Sequence, residues 1–180
     1  MYGMINKAIE EMVVSSGGED QWLAIKRRAN VTEDIFISNQ GYDDDLTYRL
    51  VAAASELLGQ PAEAILHAFG EHWILNTARK GFGPIMATGG RTLRDFLVNL
   101  PHFHDRVALL YPKLVPPHFE ITDPQERSLR LHYISPRPGL AAFVAGLLSG
   151  LGKMFDTPVR VTPEATKGAG ADHDIFFVQW

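Results

Sequence analysis

The apolar residues of this chain change their spacing once, and that change constrains the fold more than any single motif does. From Tyr2 to Tyr111 they recur at helical intervals. After that the chain alternates apolar and polar residues or gathers short β-rich runs, with one helical stretch among them. Pro112, Pro116 and Pro117 stand between the two regimes, where a helix cannot continue. Helices followed by a small strand group predict an α+β fold with an antiparallel sheet.

The expected elements follow in order. Ile5, Ile9, Met12 and Val13 give Tyr2–Ser15 one buried helical face, and Ser16-Gly17-Gly18 ends it. Asp20–Ala29 reads as a short second helix carrying Trp22 and Ile25. Asp43, Asp44 and Asp45 suit the first turn of a helix that runs to Leu58 and closes at Gly59. Pro61 fits a first turn, so Ala62–Arg79 reads as the next helix. Gly81–Gly90, with its glycines and Pro84, reads as a loop with at most one short helical turn. Arg91–Tyr111 reads as a helix and Gly139–Phe155 as another. Strands are expected at His118–Thr122, Leu129–Ser135, Val159–Thr162 and Asp174–Gln179.

Arg91–Tyr111 holds the first candidate for chemistry. At about 100° per residue, Leu93, Leu97, Leu100, Val107 and Tyr111 fall within roughly 40° of one line. His104 lies on that line, and His102 lies near the opposite side. His104 therefore points inward and His102 outward. The plain alternative for a lone inward histidine is a satisfied core residue. Pro101, three residues before His104, should kink or restart the helix.

The second candidate is Tyr133-Ile134-Ser135-Pro136-Arg137. In an extended segment Tyr133, Ser135 and Arg137 project to one side. Two hydroxyls and a guanidinium fork suit carboxylates. The plain alternative is the polar face of an edge strand.

Composition narrows the function classes. A net charge of −4 with no long basic run argues against nucleic acid or an anionic membrane as partner. The opening MYGMINKAIEEMVV does not read as a signal peptide, and no apolar run is long enough to span a bilayer. The chain has no cysteine, which removes disulfides, thiolate metal sites and covalent haem attachment. A reducing cytoplasm is the expected location.

His104 and YxSxR, in this order and at this spacing, carry a resemblance. The chain resembles the H-NOX (haem nitric oxide/oxygen binding) domains, which include the haem domain of soluble guanylate cyclase. The likeness runs through MYGMINKAIEEM, Tyr42-Asp43-Asp44, Thr47-Tyr48, Leu50–Ser55, Phe69-Gly70, Leu97-x-Asn99-Leu100-x-x-x-His104, Leu131-His132-Tyr133-x-Ser135-x-Arg137 and Asp172-His173. It looks most like the stand-alone bacterial members. The resemblance implies one H-NOX domain over 1–180, with a helical part at 1–60, a haem-ligating α+β part at 61–180, and the haem between them. It implies non-covalent haem b, with His104 as the iron ligand and Tyr133, Ser135 and Arg137 on the propionates. Pro117 matches a proline that packs on the porphyrin, Ile5 belongs to the first helix near the distal face, and Trp73 and Phe143 match positions above the iron. Asp44 matches an acidic residue that pairs with Arg137.

The implied function is a gas sensor rather than an enzyme, binding nitric oxide and carbon monoxide at ferrous haem and excluding oxygen. Within these residues there is no output domain, so the signal is expected to pass to a separate histidine kinase or diguanylate cyclase. The alternatives are an oxygen-binding haem sensor, a haem enzyme, a ligand-free interaction module and a metal-dependent hydrolase. The last would draw on His102, His104 and Asp105. However, alternate residues on a helix face opposite sides and cannot share one ion.

Overall fold

The amino-terminal end of the chain is tied to the segment that leads into the second long helix. Tyr2 pairs with Gly41 as an isolated antiparallel bridge, and the amino group of Met1 binds Asp44. The computed structural model describes residues 1–110 and 115–180. These form two compact units, Met1–Phe69 and Gly70–Trp180.

In the first unit, α1 covers Gly3–Arg28 but is broken at Gly18, whose φ of 81° only glycine adopts freely. It is two helices in series, as the Ser16-Gly17-Gly18 signal predicts. α2 spans Asp44–Leu58. Asp43 caps it by accepting from the Asp45 amide at 3.0 Å, and Gly59 closes it in the left-handed conformation. The two elements bury Trp22, Ile25 and Leu50. The Thr47 hydroxyl donates to Asn6 Oδ1 at 2.7 Å inside this core. α3, Ala62–His72, carries the chain across the boundary between the units.

The second unit opens with a π-helical stretch, Trp73–Ala78, and continues as α4, Arg79–Ala87. This corrects the loop expected over Gly81–Gly90. Gly81, Gly83 and Pro84 argue locally against a helix, but Phe82 and Met86, one turn apart, are both buried. Their burial outweighs the local propensities. α5, Leu93–Val98, and α6, Leu100–Leu110, replace the single expected helix, with Asn99 as the break. Pro101 sits in the first turn of α6, where its missing amide costs nothing. The Asn99 side chain donates to the Gly89 carbonyl at 3.0 Å and fixes the joint. The expected helix end at Tyr111 and the break at Pro112 lie outside the described residues.

The sheet has four antiparallel strands: β1 His118–Thr122, β2 Ser128–Ile134, β3 Arg160–Ala165 and β4 Asp174–Gln179. Their order is β1-β2-β4-β3. One face buries Phe119, Leu129, Leu131, Tyr133, Phe176 and Val178. The other carries Arg130, bridged to Asp123 and Glu164. α7, Ala141–Met154, packs against the π-helical stretch. Gly70 and Gly150 make the approach possible, since a Cβ at Gly70 would lie 2.3 Å from the Phe143 carbonyl oxygen. Among the described residues no helix is long and apolar enough to cross a membrane.

Candidate functional site

Helical spacing and one aromatic strand residue build this site. α6 presents Leu100 and His104 on one face, and His104 leans on β1. Its ring lies 4.7 Å from the Phe119 ring and 5.4 Å from that of Phe103. The residue keeps some accessible surface, but the imidazole is enclosed by protein. Burial pushes its pKa down to about 4, with the Leu100 carbonyl opposing only in part. The ring is therefore neutral near pH 7. Nδ1 sits 3.3 Å from the Leu100 oxygen, which favours a proton on Nδ1 and leaves the Nε2 lone pair available. His102 behaves as its periodicity predicts: it is exposed, 3.9 Å from Asp105. Among the described residues, no three of His, Asp and Glu come together as a metal-binding group.

The neutral state of His104 has a consequence for stability. The unfolded chain protonates this residue near pH 6.5, whereas the folded chain waits until about 4. Between those values the unfolded state holds more protons, so stability rises with pH across the window and is complete above it. The haem-free protein should lose up to roughly 3 kcal/mol as the pH falls through this range. Thermal unfolding across a pH series checks this, and His104→Gln should flatten the profile.

The carboxylate-binding candidates end β2. Tyr133 and Ser135 are 5% and 6% exposed, and Arg137 is half-buried just beyond them. The strand itself ends at Ile134, so Ser135 and Arg137 follow its regular extended run. The Ser135 side chain hydrogen-bonds the Tyr133 phenol, and the Arg137 amide donates to Ser135 Oγ at 3.1 Å. Burial raises the phenol pKa, so Tyr133 stays a neutral donor. Arg137 Nη1 donates to the Val115 carbonyl at 3.0 Å, and Lys167 Nζ to the Ser135 carbonyl at 2.8 Å. Lys167 was not foreseen, because its loop carries no periodic signal.

Phe119 joins the two sets. Its ring lies 5.5 Å from that of Tyr133, its partner across β1 and β2. The structure thus brings His104, Phe119, Tyr133, Ser135 and Arg137 into one region. Pro117, half-buried, lies two residues before Phe119. Trp73 opens the π-helical stretch and Phe143 lies in the first turn of α7, both half-buried on elements that pack together. Ile5 is half-buried on α1 in the first unit. Sequence reading missed the π-helical turn. Such turns are rare and often accompany functional sites, and no residue pattern marks them.

A family model described as "Haem-NO-binding" matches residues 2–163. The chain is 28% identical over 162 residues to soluble guanylate cyclase gcy-31 of Caenorhabditis elegans, covering 89% of this chain and 23% of that protein. It is 31% identical over 122 residues to the soluble guanylate cyclase subunit beta-2 of Rattus norvegicus, covering 64% and 18%. The chain thus spans less than a quarter of these relatives. An H-NOX protein from S. oneidensis, solved in the Fe(II)NO state, superposes with a TM-score of 0.89 at 22% identity, covering 99% of this chain and 98% of that one. An unliganded Fe(II) H-NOX protein from K. algicida gives 0.86 at 20% identity, covering 99% and 96%.

Proposed function

The chain belongs to the haem-NO-binding family, and from that premise we propose that it is a haem-based gas sensor which binds nitric oxide and carbon monoxide, excludes oxygen and signals to a separate protein. One observation carries the reading. A neutral imidazole with an available nitrogen and a cluster of two buried hydroxyls and a half-buried guanidinium lie one phenyl ring apart. That donor set fits an iron porphyrin, which needs a nitrogen ligand on one axis and partners for two carboxylates.

In this reading His104 is the iron ligand, and Tyr133, Ser135 and Arg137 hold the propionates. Pro117 packs on the porphyrin, and Trp73 and Phe143 line the gas side. The group is non-covalent haem b, since the chain has no cysteine to attach it. Bound ferrous haem supplies an open iron face for a diatomic gas. The output partner is a histidine kinase or a diguanylate cyclase in the same cytoplasm. The guanylate cyclase relatives are much longer than this chain, and their names are no guide to its output.

The optical spectrum of the ferrous protein with and without nitric oxide tests the reading. A Soret band that moves on adding the gas is expected. Purified protein that neither carries nor takes up haem would refute it.

The anchor makes a graded prediction. A charge-assisted hydrogen bond contributes about 1.5–3 kcal/mol, against roughly 1 kcal/mol for a neutral one. Arg137→Ala should therefore release haem faster than Ser135→Ala in a transfer assay to a competing haem binder. Arg137→Lys should recover only part of the loss, because a point charge cannot reproduce the fork. Equal release from the alanine variants would remove Arg137 from the propionates.

A further inference from the structure

We infer that Phe119 is a positioning residue that sets the imidazole plane of His104 and couples it mechanically to Tyr133. The inference rests on the reading of His104 as iron ligand and Tyr133 as propionate anchor.

His104 and Tyr133 come from different elements, α6 and β2. The Phe119 ring touches both, at 4.7 Å and 5.5 Å between centroids, tilted 50° and 46°. Phe119 is 3% exposed and Tyr133 5%, so neither ring has free space to turn into. Phe119 and Tyr133 are direct partners in the β1–β2 register, which locks their backbones together.

The hydrogen bond of the imidazole restrains its orientation only weakly. Its contact to the Leu100 carbonyl is long, at 3.3 Å, and one such bond leaves rotation about the Cβ–Cγ axis soft. Phe103 and Phe119 pack against the ring and add to that restraint. Phe103 leans on Phe96, and Phe96 on Phe155, both at 5.7 Å. This aromatic row therefore backs His104 from the side of α5 and the end of α7. A displacement of His104 has Phe119 in its path, and Phe119 has Tyr133. Packed interiors rearrange between discrete states rather than deforming smoothly, so a movement at one end reaches the other.

The test uses the full chain loaded with haem and reads the iron–imidazole stretching band of the ferrous protein by resonance Raman. Four proteins are compared: the unaltered chain, Tyr133→Phe, Phe119→Leu and the double variant. Losing the phenol hydroxyl at the propionate end should shift the band while Phe119 is present. In the Phe119→Leu background the same change should leave the band in place, and that loss of coupling is the expected result. The same Tyr133→Phe shift in both backgrounds overturns the inference. Leu129→Ala, on the same sheet face, controls for packing alone and should lower the melting temperature with the band unmoved. If Phe119→Leu does not fold, Phe119→Met takes its place. An unaltered protein without an iron–imidazole band refutes the iron-ligand reading, and this inference falls with it. A band that is present but uncoupled refutes the inference alone.

Discussion

Replacing His104 with glycine should leave a folded protein that purifies nearly free of haem and regains a five-coordinate ferrous spectrum only when free imidazole is supplied. Glycine removes the nitrogen ligand and leaves a space of imidazole size beside Phe103 and Phe119. It also removes the buried ring contacts, so a fall of several degrees in melting temperature should accompany the loss. His102→Ala supplies the contrast. That side chain is 75% exposed on the opposite face of α6, and its removal should leave the spectrum normal. An unchanged ferrous spectrum in His104→Gly would move the iron to another ligand.

Much of the fold and of the candidate site is legible in the sequence, because the informative residues sit on regular elements. Helical spacing alone separated His104 from His102, and their burial follows it. Pro101 announced a restart, and α6 begins one residue before it. Period-two alternation predicts Tyr133, Ser135 and Arg137 on one side; β1 and β4 run as expected, whereas β3 continues past its expected end at Thr162 to Ala165. The resemblance to the family rests on motifs along the whole chain, His104 and YxSxR among them, and the family model bears it out.

Two features were not legible, each for a physical reason. A helix through Gly81, Gly83 and Pro84 exists because Phe82 and Met86 are buried by partners distant in sequence, which no local window registers. Phe119 looked like any aromatic residue of a strand. Its position between His104 and Tyr133 depends on β1 pairing with β2 and on α6 crossing β1, both tertiary facts. The part of a site carried by side-chain chemistry can be read from residue types, whereas the part that joins two chemistries needs the topology.

Under the proposed function, the residues of α7 predict the gas selectivity. Dioxygen binding at a ferrous haem is strengthened by a hydrogen-bond donor beside the gas, whereas nitric oxide binds tightly without one. The resemblance to H-NOX domains implies that an oxygen-binding member supplies such a donor as a tyrosine from this helix. Here α7 contains no tyrosine, and the gas-side residue proposed on it is Phe143. None of the five tyrosines, Tyr2, Tyr42, Tyr48, Tyr111 and Tyr133, lies on α7. The ferrous protein in air should therefore form no stable oxygen complex, while nitric oxide and carbon monoxide bind. Phe143→Tyr should strengthen oxygen binding by roughly tenfold to a hundredfold, the worth of a hydrogen bond of about 1.5–3 kcal/mol. The competing donor is the Trp73 indole, on the π-helical stretch that packs against α7. Gas titrations of the unaltered protein, Phe143→Tyr and Trp73→Phe separate the two cases. A stable oxygen spectrum in the unaltered protein, lost in Trp73→Phe, would make this an oxygen sensor whose donor is an indole.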